Sequence, residues 1–183
     1  MKENSKFWDS FNSWENFAPK TIEWNNDWLK NGFCKECKLC CGPQGNDAPF
    51  PMALLPEQLT TDIEQKFYLL SPTVAYIGKE GCKSDSTSGC KLGITEKPVA
   101  CNLFPVVIIN GGLYLYQNCP AVLLLPLALF MNLGKKIANY LQKFTLDELM
   151  QLSINVDYKE LAEKYIDLHI KIFNEQGKKL IFE

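Results

Sequence analysis

The stretch Val106-Val107-Ile108-Ile109-Asn110-Gly111-Gly112-Leu113-Tyr114-Leu115-Tyr116 sets the fold class. Its β-branched, aliphatic and aromatic residues suit a pleated, half-buried surface. Asn110-Gly111-Gly112 tolerates positive φ, so a hairpin is expected, with strands at Val106–Ile109 and Leu113–Tyr116. The second strand runs almost directly into Cys119-Pro120.

Downstream of the hairpin the pattern turns helical. Residues 121 to about 144 read as a buried helix, with Pro126 as a candidate start. Thr145-Leu146-Asp147-Glu148 is a capping box that opens another helix, and Asp157-Tyr158-Lys159-Glu160 is a second. Leu161, Tyr165, Leu168 and Ile172 then line one face of a last helix, with Gly177 as its C-cap. Upstream, Pro56-Glu57-Gln58-Leu59 is expected to open a helix. Phe7, Trp8, Phe11 and Trp14 recur at helical spacing within an aromatic segment, residues 1–30, that also holds Trp24 and Trp28. The expected fold is α+β: a predominantly helical single domain, residues 1–183, with a small β-hairpin and cysteine-rich metal-binding loops. Residues 31–120 form its cysteine-cluster region and residues 121–183 its helical C-terminal region.

Composition narrows the function classes. The chain has 183 residues, 46% of them hydrophobic, as in a globular protein. A net charge of −2 gives no electrostatic case for nucleic acid or an anionic membrane. The basic residues are all lysine, so the bidentate fork that reads guanine and phosphate is missing. The apolar run Ala121–Met131 is too short to span a bilayer. Met1-Lys2-Glu3-Asn4 leads into polar sequence without a signal-peptide core, so a cytoplasmic protein is expected. In a reducing compartment eight cysteines point to metal binding or redox work rather than to disulfides.

Those cysteines begin with Cys34-Lys35-Glu36-Cys37-Lys38-Leu39-Cys40-Cys41 and continue at Cys82, Cys90, Cys101 and Cys119. A three-residue step advances the chain by ~10 Å at most, so Cys34, Cys37 and Cys40 can turn inward onto one centre. The same spacing occurs in ferredoxin-type [4Fe–4S] sites. Adjacent side chains diverge, so Cys40 and Cys41 are expected to face different partners. The fourth ligand is open among Cys41, Cys82, Cys90, Cys101 and Cys119. Zinc is the rival ion; structural zinc favours two C-x2-C pairs, and the distal cysteines here stand singly. Lys35, Lys38, Lys83 and Lys91 adjoin cysteines, where positive charge favours thiolate, although each also reads as an ordinary solvated lysine. Phe33, Leu39, Phe50 and Phe104 are candidate shields, or plain core.

This ordered set resembles the CxxCxxCC (YkgJ-type) cysteine-cluster family, described as zinc- or iron-chelating proteins. The likeness runs from Cys34-x2-Cys37-x2-Cys40-Cys41 through Leu55-Pro56-Glu57, Cys82 and Cys90 to Lys97-Pro98-Val99-Ala100-Cys101-Asn102-Leu103-Phe104-Pro105 and Cys119-Pro120. Lys97 and Asn102 stand where the family has arginine, so an arginine-dependent anion contact does not carry over. The resemblance implies a metal ion or cluster on Cys34, Cys37, Cys40, Cys41, Cys82, Cys90, Cys101 and Cys119. A similar cluster in flagellin lysine methylases makes a protein or peptide a conceivable substrate, in a cluster-dependent, methyltransferase-like reaction.

Three readings follow. The favoured one is a [4Fe–4S] protein in electron transfer or peptide modification. The second is a zinc-stapled binding module without catalysis. The third is the methyltransferase-like enzyme, for which no glycine-rich cofactor loop is present. His169 is the lone histidine, which argues against histidine-based hydrolysis and assigns it a structural or surface role.

Overall fold

The computed structural model describes residues 37–44, 50–93, 96–174 and 178–180. The expected N-terminal helix, Cys34 and the Gly177 cap lie outside them. The chain divides into two compact units, Met1–Pro98 and Val99–Glu183.

In the first unit, β1 (Phe50–Ala53), β2 (Tyr68–Ser71) and β3 (Val74–Ile77) form an antiparallel sheet of order β1-β3-β2. Pro51 is tolerated because β1 is an edge strand, with only one side committed to a ladder. Tyr68 lies opposite Tyr76, and their rings sit 5.8 Å apart. Met52, Leu54, Leu55, Phe67, Ala75 and Ile77 supply the apolar core. The helix expected to open at Pro56 is only a single 3-10 turn, Pro56–Gln58. The buried Gln58 side chain closes that turn by accepting from the Leu55 N–H at 3.0 Å and donating to the Lys97 carbonyl at 2.5 Å. A short helix, α1 (Ile63–Lys66), precedes β2.

The second unit holds a second antiparallel sheet of order β4-β5-β6, from β4 (Val106–Ile109), β5 (Gly112–Tyr116) and β6 (Tyr165–Lys171). The expected hairpin is present, in the register Val106↔Leu115 to Ile109↔Gly112. Asn110 at φ 48° and Gly111 at φ 74° form its turn, and two positive φ values match the right-handed twist of the strands. The helices are α2 (Val99–Leu103), α3 (Pro120–Leu124), α4 (Leu127–Leu141), α5 (Leu146–Leu152) and α6 (Tyr158–Lys164). Pro126 splits the expected 121–144 helix into α3 and α4. The Thr145 capping box holds: Thr145 accepts from the Glu148 N–H, and Glu148 accepts from the Thr145 N–H at 2.6 Å. Asp157 likewise accepts from the Glu160 N–H at 2.7 Å.

α4 buries Phe130, Leu133, Ile137, Ala138 and Leu141. It packs closely on β6 through Gly134, where a Cβ would stand 2.9 Å from the side chains of Leu168 and Ile170.

The predominantly helical expectation is overturned. The fold is mixed α+β, about 35% helix and 25% strand, with six α-helices and two three-stranded sheets among the described residues. The physical reason is clearest at the C-terminal stripe. α6 stops at Lys164, and Tyr165–Lys171 pairs with β5 as a strand. Leu168, Ile170 and Ile172 are buried in alternation with exposed Asp167, His169 and Lys171, a period of two. The intervals from Leu161 to Ile172 fit a helical face equally well, and the unfilled edge of β5 decides between the two. Residues 50–77 add three strands where only a helix opening at Pro56 was expected.

Candidate metal centre

The loop 37–44 is shaped by its own backbone. Lys38 takes φ 49°, and the Gly42 N–H donates back to the Lys38 carbonyl at 2.6 Å, curling Leu39-Cys40-Cys41 into a tight turn. Gln44 secures the turn by donating through Nε2 to the carbonyls of Leu39 at 2.8 Å and Gly42 at 3.0 Å. Cys40 and Cys41 Sγ lie 3.9 Å apart, and both residues are half-buried.

A second loop, following β3, meets this one. The Cys82 N–H donates to the Cys41 carbonyl at 2.7 Å, and the Gln44 N–H donates to the Gly78 carbonyl at 2.9 Å. Gly81, at φ 75°, permits the approach. A Cβ there would come within 3.1 Å of the Cys41 carbonyl oxygen and 3.2 Å of the Pro43 nitrogen. The Lys38 ammonium spans the same junction, 2.9 Å from Asp85 Oδ2 and 2.5 Å from the Ser86 carbonyl. From Cys82 the chain turns back to Cys90. Ser86 and Gly89 exchange backbone hydrogen bonds of 3.0 and 3.1 Å, and the Lys91 N–H donates to the Ser84 carbonyl. The buried Ser84 hydroxyl anchors this turn on the Lys66 carbonyl at 2.7 Å.

The first unit therefore brings Cys41 against Cys82, with Cys40 beside Cys41 and Cys90 close enough to act on Cys82 electrostatically. Burial pushes the Cys82 thiol above its ordinary value. The Ser84 backbone N–H opposes that, and negative charge on Cys41, Cys90 and Asp85 reinforces it. Several half-buried thiols crowded together resist ionising one another, and a cation among them removes that resistance. Cys37 is half-buried at the start of the loop, and Cys90 is exposed. The seven described cysteines carry thiols. Among the described residues, no group of three His, Cys, Asp or Glu side chains is arranged to hold an ion.

The other expected ligands belong to the second unit. Cys101 sits half-buried on α2. Cys119 is buried at the N-cap of α3, donating its N–H to the Tyr116 carbonyl at 3.1 Å and accepting from the Val122 N–H at 2.9 Å. His169 is exposed at an irregular step in the β5–β6 pairing, with Nδ1 3.4 Å from Asp167.

The expected lysine environment is redrawn. Lys38 is engaged by Asp85, and Lys83 donates to the Glu64 carbonyl and lies 4.9 Å above the Tyr68 ring. Leu39 is 51% exposed and shields nothing. Phe104 is buried in the second unit against Tyr116, with ring centroids 5.8 Å apart. Asp85 and Gly81 escaped the sequence reading. A glycine one residue before Cys82, and an Asp three after it, were the available signals.

Comparison with family models, with curated proteins and with solved structures returned no match. No helix among the described residues is long and apolar enough to cross a membrane.

Proposed function

We propose that this chain is a cysteine-ligated metal protein carrying a [4Fe–4S] cluster, used in electron transfer or in modifying a protein or peptide. The observation that carries the reading is the joining of two sequence-distant cysteine loops at Cys41 and Cys82, with Cys40 and Cys90 alongside. The donors gathered there are sulfur, and the C-x2-C-x2-C-C spacing that leads into the junction suits an iron–sulfur site. The ordered likeness to the CxxCxxCC family supports the same chemistry. Bound, the cluster would supply one-electron transfer. The chain's own part is to hold the two loops together through Gln44, Gly81 and the Lys38–Asp85 pair, and closing the thiols on the metal would complete the site.

The test is metal content in variants. Cys41→Ser and Cys82→Ser are each expected to lower bound iron at least tenfold relative to the native chain. His169→Ala, exposed in the other unit, should keep it. Undiminished iron in both cysteine variants would refute the assignment.

A further inference from the structure

Within the second unit, α3 and the start of α4 leave leucines in water. Leu123 is 71% exposed, Leu127 50% and Leu124 37%, and Pro126 and Ala128 beside them are exposed as well. Exposed leucines elsewhere, such as Leu59 and Leu70, stand singly and call for no explanation. Here three fall within five residues, and the core-facing stripe of α4 is made by other residues.

The opposite arc of α4 and the turn beyond it expose Asn132, Lys135, Asn139 and Lys143. No Asp or Glu occurs between Lys97 and Asp147. The chain-wide charge of −2 hides this local distribution, because every acid lies outside that stretch.

We propose that Leu123–Lys143 is a docking face for an anionic lipid bilayer, on which the segment lies without spanning. Leucines at the α3–α4 junction enter the acyl boundary, and the lysines meet the negative headgroups. The fifteen residues of α4 are too few to cross the hydrocarbon layer. A second copy of the chain fits less well, since a two-fold pairing sets the exposed lysines of this stretch against themselves.

The test is sedimentation of the full chain with phosphatidylcholine vesicles, with and without phosphatidylserine. The native chain is expected to sediment with the phosphatidylserine vesicles only, and less so as salt is raised. The exposed-site pairs Leu123→Ser with Leu127→Ser, and Lys135→Glu with Lys143→Glu, should each weaken binding at least tenfold while retaining the native melting temperature. A native chain that stays in the supernatant with both vesicle types would overturn the proposal. So would variants that sediment like the native chain, or a dimer that the leucine pair dissociates without any vesicle binding.

Discussion

Tyr165 shows how one residue links the fold to pH. It ends α6 and begins β6, with its ring 5.7 Å from that of Tyr116. Burial raises its phenol from 10.0 to about 12, helped by negative charge on Glu160 and Tyr116. A group whose folded pKa is raised binds its proton more tightly in the native state. Its contribution to stability is therefore complete below pH 10.0 and is lost as pH climbs towards about 12. Thermal melts should show stability falling across that alkaline window, and Tyr165→Phe should flatten the fall. An identical alkaline profile in the variant would exclude Tyr165 as the source.

At the scale of elements, legibility depended on whether a segment carries its own signal. The β4–β5 hairpin was readable because Asn110-Gly111 supplies the backbone angles that the turn requires. The caps at Thr145 and Asp157 were readable because their hydrogen bonds close within one helical turn. β6 was not readable, because the spacing of Leu161, Tyr165, Leu168 and Ile172 satisfies a helix, and only a strand edge distant in sequence makes the alternation of Leu168, Ile170 and Ile172 decisive. The same holds for β1–β3, whose short runs are settled by pairing with one another. The hairpin turn makes a sharp prediction. Gly111→Ala would hold a side chain at φ 74° and place its Cβ 2.6 Å from the Phe173 carbonyl oxygen. It should cost about 1–3 kcal/mol in urea denaturation. A cost within error of zero would show that the turn relaxes freely.

For the molecule as a whole, the cysteine pattern raised the expectation of thiolate ligation without giving a layout. Spacing suggested one loop, Cys34 to Cys40, closing on a single centre. Cys34 lies outside the described residues; beyond that loop the structure adds a junction between loops, Cys41 to Cys82, built on Gly81 and Gln44, neither of which carries any ligand chemistry. Cys101 and Cys119 fall in the second unit. Such a junction is invisible in sequence because it depends on β3 delivering Gly78–Cys82 to the turn at Cys41, a consequence of the first sheet's order. The two readings of the lysines next to cysteines stayed open for a related reason: sequence adjacency does not fix where a long side chain reaches, and Lys38 and Lys83 reach Asp85 and Tyr68.

Cluster ligation by these cysteines is probed most directly by anaerobic purification of the native chain, followed by iron, sulfide and zinc analysis with a visible spectrum. Brown protein with broad visible absorption, and iron and acid-labile sulfide in equal amounts, is the expected result. Colourless protein carrying stoichiometric zinc, or no metal at all, would contradict it.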